Sequence, residues 1–239
     1  KSFIQSLNRI VFVAANDESR MVLTGVLFNS SKDGLTLAAT DGFRLSVIKL
    51  PVKSEADTKF IVSAKALVEV IRVSGESESI KLNYLSKSNQ VVFDFGEVQI
   101  YSRLISGNFP DYEKIIPPSS TTKIVVTVDE LLKAIRLASV FARDSANIVK
   151  LKLAPGKLKI SANAPQVGEQ ESEVDIQAEK GSDEEFTIAF NFHYLLDLLS
   201  SLGSNEVTAE FTGPLTAGVF KVPSESNFLH LIMPVRVQG

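Results

Sequence analysis

DELLKAIRLASVFAR, residues 129–143, carries apolar residues at helical spacing, with the charged side chains on the opposite face. A second copy stands upstream. FIQSLNRIVFVAAN (3–16) has the same periodicity, Arg9 lies 127 residues before Arg136, and AANDES (14–19) falls on FARDSA (141–146) at that shift. A further pair follows each. SAKALVEVIRVSG (63–75) and NFHYLLDLLSSLG (191–203) are 128 residues apart, each closed by a glycine suited to a helix C-terminus. Ser63 and Asn191 stand where N-caps are expected.

Around these four helices the chain reads as short alternating strands. QVVFDF and VQIYSRLI end the first copy; VTAEF, AGVFKV and FLHLIMPV end the second. Two copies of one α+β unit follow, each with two helices packed on antiparallel strands. Pro117-Pro118-Ser119-Ser120 reads as the linker, giving units over 1–118 and 122–239.

Composition sets the outer limits. The 239 residues are 44% hydrophobic and 22% charged, with mean hydropathy +0.13, the balance of a soluble chain. The first residue is Lys, the expected sign of a processed or truncated piece. There is no cysteine, hence no disulfide framework and no thiolate metal site, and a cytoplasmic location is expected. No apolar run reaches the roughly 20 residues needed to span a bilayer. The net charge of −3 conceals a segregation: eight acids between Glu169 and Glu185 face one base, Lys180, and the remainder of the chain stands at +4. Lys1, Arg9, Arg20, Lys65, Arg72, Lys133 and Arg136 lie on or beside the helices, where a solvated face is the default reading.

Catalytic signatures are missing. His193 and His230 have no second histidine or cysteine at ligand spacing, so neither metal nor cofactor is expected. There is no phosphate loop, nucleophile elbow or H-E-x-x-H. Asp41 and Asp111 could be imagined as the acid/base pair of a small hydrolase, but TDG and FPDY are turn signatures in which Asp caps backbone N–H groups. A protein without enzymatic activity is the better reading.

Three segments carry a resemblance: LAATDGFRLSV (37–47), SGNFPDYEKIIP (106–117) and LIMPVRV (231–237). With IRLASVFARDSANIVKLKL (135–153), GEQESEVDI (168–176) and IAFNFHYLLDLLSSL (188–202), they resemble, in order and over essentially the whole chain, the bacterial sliding clamp family, the beta subunit of DNA polymerase III. The resemblance implies the processivity-clamp fold in two tandem DNA-clamp domains, the second and third of a three-domain subunit, with the N-terminal clamp domain absent. It implies a head-to-tail homodimer ring for the full-length protein and a monomer for this fragment, which should not stay on circular DNA. It further implies helices facing an encircled duplex without sequence readout, with Arg9, Arg20, Arg72 and Arg136 as the lining.

The same resemblance implies a groove that receives short peptides, anchored by Leu and Phe, from the polymerase III catalytic subunit, the clamp loader, other polymerases and repair proteins. Carried onto matching positions, its wall comprises Thr40, Gly42, Phe43, Arg44 and Leu45, then Pro110, Lys114 and Ile115, then Tyr194, and finally Ala217, Leu231, Met233, Pro234, Val235 and Arg236. Such a set suits a peptide: an apolar floor, an adaptable Met and a few donors. Phe43 stands where the family often has a polar residue, Ala217 where larger or hydroxylated ones are frequent, and Gln238-Gly239 extends the usual ending. The rival within binding proteins is a complete two-domain clamp of the eukaryotic and archaeal type, closing as a trimer.

Overall fold

The structure, a computed structural model, describes residues 2–52, 57–75, 77, 79–164, 168–181 and 186–236. Lys1, the acids Asp183, Glu184 and Glu185, and the terminal Val237, Gln238 and Gly239 lie outside the described residues. Two compact units divide at Lys1–Asp111 and Tyr112–Gly239. The sequence reading places the junction at 117–120. That segment is tied into the second unit: Thr212 donates to the Ser119 carbonyl at 2.9 Å and Lys180 to that of Ser120 at 2.7 Å.

The first unit contains α1 (Ser2–Asn8), β1 (Gly25–Ser31), β2 (Gly34–Thr40), β3 (Arg44–Leu50), β4 (Thr58–Ser63), α2 (Ala64–Ser74), β5 (Lys81–Leu85), β6 (Gln90–Asp94) and β7 (Gln99–Ile105). Its strands run antiparallel in the order β3-β2-β1-β4-β7-β6-β5. The second contains β8 (Thr122–Thr127), α3 (Val128–Ala142), β9 (Ile148–Ala154), β10 (Lys157–Ala164), β11 (Gly168–Lys180), β12 (Phe186–Asn191), α4 (Phe192–Ser201), β13 (Glu206–Phe211), β14 (Gly218–Val222) and β15 (Glu225–Ile232), ordered β12-β9-β10-β11-β8-β13-β14-β15. The internal pairing repeats with the sequence. β4-β1-β2-β3 in the first unit corresponds to β12-β9-β10-β11 in the second, and β5-β6-β7 to β13-β14-β15. The junction also recurs: Ile61 pairs with Ile105 in the first unit, and the Val235 N–H donates to the Ala189 carbonyl at 2.8 Å in the second. Strand β8, which bridges β11 and β13, has no counterpart among the described residues of the first unit.

The fold is α+β, as expected, with one helix shorter than its periodicity suggests. The helix expected over 3–16 ends at Asn8, and a 3-10 turn follows at Val11–Val13. Ile10, Val11 and Val13 are β-branched and crowd the preceding turn of a helix. Breaking the helix lets Ile10 and Val13 turn fully into the core. The Ala15 N–H then donates to the Leu23 carbonyl at 2.8 Å, closing the loop that leads into β1. Of the two expected N-caps, Asn191 accepts from the His193 N–H at 3.0 Å, whereas the Ser63 side chain makes no capping bond; Ser63 is also the last paired residue of β4.

Each unit has an aromatic centre. In the first, Phe28 is fully buried with ring centroids 5.4 Å from Phe60, 6.3 Å from Phe3 and 6.4 Å from Phe93. In the second, Phe220 lies between Phe190 at 6.1 Å and Phe211 at 6.2 Å. Burying each such ring contributes about 1.5–3 kcal/mol. Phe3 holds α1 on the first sheet, and the second centre joins β12, β13 and β14.

Candidate functional site

The β2–β3 turn is the most constrained feature of the first unit. Asp41 accepts through Oδ1 from the backbone N–H groups of Phe43 (2.8 Å) and Arg44 (3.0 Å), the Asx-turn pattern that TDG suggests. Gly42 takes φ +94, where an L side chain is strained. The Thr40 hydroxyl donates to the Arg44 carbonyl at 2.7 Å and accepts from the Gly42 N–H at 3.0 Å. Arg44 folds back on the same turn. Its Nε lies 3.0 Å from Asp41 Oδ2, its Nη2 donates to the Phe12 carbonyl at 2.9 Å, and its guanidinium carbon stands 5.3 Å from the centre of the Phe12 ring. Arg44 is 9% exposed, whereas Phe43 at the tip is 56% exposed.

The other first-unit positions differ in access. Leu45 is fully buried opposite Thr40, and Pro110 is exposed beyond the buried Phe109. Arg20, expected on the duplex-facing side, lies in a kinked 3-10 segment (Glu18–Thr24), with Nη1 2.9 Å from where a Cβ on Gly42 would stand. Sequence reasoning missed Phe12 altogether. Its part depends on a contact 32 residues away, and a phenylalanine in an apolar run signals only core packing.

In the second unit, Lys114 and Ile115 are exposed on a short 3-10 turn, Tyr112–Ile115. Tyr194 is half-buried in the first turn of α4. Ala217 and Leu231 are buried, Leu231 opposite Val219 across the β14–β15 pair. After β15 the chain leaves the ladder. Met233 is 42% exposed, Pro234 and Val235 are half-buried, and Arg236 is exposed. The Val235–Ala189 bond pins this tail beside β12, whose last residue, Asn191, caps the helix bearing Tyr194. The second unit therefore brings Tyr194 and the 233–236 segment onto neighbouring elements.

The basic candidates differ in exposure and pairing. Arg9 is half-buried just past α1, its N–H donating to the carbonyls of Gln5 and Ser6 at 3.2 Å each. Arg72 on α2 is exposed and paired with Glu69, with Nε to Oε2 at 2.8 Å. Arg136 on α3 is exposed. Lys65 reaches Glu18 at 3.4 Å, with both side chains largely in solvent. Such pairs dilute the positive field of a helix face without abolishing it.

The arrangement suits binding better than catalysis. Asp41 is spent on two backbone N–H groups and a guanidinium, which is poor use of a general base. Among the described residues no group of three or more His, Cys, Asp or Glu could hold a metal ion. No helix among them is long and apolar enough to cross a membrane.

Family models fit the two units in turn: that of the DNA polymerase III beta subunit, central domain, matches residues 1–111, and that of its C-terminal domain matches 113–236. The chain belongs to the DNA polymerase III beta subunit family. It is similar to the beta sliding clamp of Bacillus subtilis (strain 168), 32% identical over 234 residues that make up 96% of this chain and 61% of the relative. The beta sliding clamp of Staphylococcus aureus (strain N315) is 32% identical over 227 residues, 94% of this chain and 59% of the relative. The chain thus spans 59–61% of the length of these curated relatives. Among solved structures, the DNA polymerase III beta subunit of Thermotoga maritima superposes with a TM-score of 0.91 at 28% identity, covering 99% of this chain and 64% of that one. The beta chain of Streptococcus pneumoniae TIGR4 gives 0.91 at 32% identity, covering 99% and 63%.

Proposed function

We propose that the chain supplies the central and C-terminal domains of a processivity clamp, a non-catalytic ring that encloses duplex DNA and tethers the replicative polymerase. In this reading two longer subunits close head to tail as a homodimer. Enclosure replaces affinity: a ring that cannot leave sideways needs only weak attraction to phosphate, so a few helix bases such as Arg136 and the partly neutralised Arg72 suffice. Leu137 and Val140, 53% and 61% exposed on α3, offer apolar surface for a subunit contact. A cytoplasmic location accords with this role.

Partners would dock on peptide-binding residues, of which the first unit exposes Phe43 and Pro110, and the second exposes Lys114, Ile115, Met233 and Arg236 and leaves Tyr194, Pro234 and Val235 partly accessible. The polymerase III catalytic subunit, the clamp loader, other polymerases and repair proteins would present Leu and Phe anchors to it. The observation that carries this reading is a C-terminal tail that leaves its ladder to expose Met233 and is pinned beside the strand leading into the helix that bears Tyr194. The test is fluorescence anisotropy with a labelled peptide carrying Leu and Phe anchors. A Kd on the order of 1 μM is expected, weakened by Met233→Ala and by Phe43→Ala. Absence of binding, or binding indifferent to both changes, refutes the site.

A further inference from the structure

We infer that Arg44, Asp41 and Phe12 form a positioning device for the peptide site, and that Arg44 acts through the turn rather than by gripping the peptide. The inference rests on the peptide-site reading and assigns Arg44 a role different from the wall residue that the sequence suggests. Two of its donors are committed within the unit, to Asp41 Oδ2 at 3.0 Å and to the Phe12 carbonyl at 2.9 Å, and its side chain is 9% exposed. Drawing the guanidinium out of the turn toward a peptide would break a nearly buried, charge-assisted pair and leave Asp41 uncompensated. What the turn offers outward is Phe43.

The device ties every residue from 40 to 44. The Thr40 hydroxyl joins the Gly42 N–H to the Arg44 carbonyl, Asp41 Oδ1 gathers the N–H groups of Phe43 and Arg44, and Asp41 Oδ2 takes the guanidinium. The far end of Arg44 is fastened to the 3-10 segment Val11–Val13 through the Phe12 carbonyl and ring. A turn held in this way is already ordered before the partner arrives, so binding does not bear the cost of fixing it. The aromatic ring it presents would select an apolar or aromatic partner side chain. Phe12 and Asp41 thereby become positioning residues for recognition.

The test uses the full 239-residue chain and the labelled Leu/Phe peptide, with amide hydrogen exchange as a second readout. Arg44→Ala and Asp41→Ala should each weaken peptide binding about tenfold, and the double variant no more than the worse single one, because both break the same device. Exchange at the Phe43 and Arg44 amides should quicken about tenfold or more in Arg44→Ala without any peptide. Phe43→Ala should weaken binding yet leave exchange at the Arg44 amide unchanged. If Asp41→Ala melts below the assay temperature, Asp41→Asn replaces it, since its Oδ1 still accepts from the turn amides. Additive losses, or intact binding in Asp41→Ala beside lost binding in Arg44→Ala, would assign Arg44 a direct peptide contact and overturn the inference. Unchanged exchange in Arg44→Ala would overturn it as well. A wild-type chain that binds no peptide overturns the peptide site itself, a result distinct from both.

Discussion

Gly42 and Gly96 provide a matched pair. Both take φ +94, but a Cβ on Gly42 would come 2.9 Å from Arg20 Nη1, whereas one on Gly96 would meet nothing within 4 Å. Alanine at such a φ costs on the order of 1–3 kcal/mol. The narrower unfolded ensemble of alanine offsets about 0.4–1 kcal/mol of this, so a net loss of roughly 1–2 kcal/mol is expected at each site. The Arg20 contact adds little, because that group is the exposed end of a flexible side chain. Gly42→Ala and Gly96→Ala should therefore lower the melting temperature of the first unit similarly, by about 4–8 °C per kcal/mol for a domain of this size. They should differ in function. Strain at Gly42 is relieved by shifting the turn that carries Phe43, and peptide affinity should fall about five- to tenfold through lost preorganisation. Gly96 lies in the β6–β7 turn, and its variant should bind as wild type. Calorimetry and peptide anisotropy on the two variants decide the matter. A Gly42→Ala protein as stable as wild type, or a Gly96→Ala protein that loses as much affinity, would refute the reasoning.

Other expectations follow from the same geometry. Phe28→Ala should destabilise the first unit by about 3–5 kcal/mol, read as a calorimetric transition that moves while that of the second unit stays. Glu173 accepts from Lys159 at 2.9 Å, and this bond holds its carboxyl below the ordinary 4.5. Its contribution is present above that unfolded value and is lost as pH falls through the lower folded one; an NMR titration should show the depressed midpoint, and Lys159→Ala should return it to the ordinary range. In duplex binding by the chain, Arg136→Ala should reduce the salt slope by about one. Arg72→Ala should change it less, because Glu69 already neutralises that guanidinium.

Much of the fold was legible because it is periodic. Helices α2, α3 and α4 and the strands at the end of each unit follow from apolar spacing, and the shift between the copies announced that the strand pairing would repeat. Helix α1 was overread. Its apolar pattern continues through Val13, but the β-branched residues within it favour a break that the core then exploits. Asn191 and Ser63 stand in the same position in sequence, yet only the first caps its helix. Local chemistry permits both outcomes.

The sequence by itself determined the duplicated α+β unit, the turn at Asp41-Gly42 and, through family likeness, the candidate binding positions. These rest on spacing, on the φ that only glycine adopts easily, and on segments that stay together along the chain. Tertiary structure alone decided which candidates are accessible and which groups Arg44 bonds. Leu45 and Leu231 are enclosed, Phe43 and Met233 are open, and the arginine is fastened to a carbonyl 32 residues away. Side-chain exposure and long-range hydrogen bonds depend on how distant segments meet, and neither a residue type nor its neighbours in sequence carries that information.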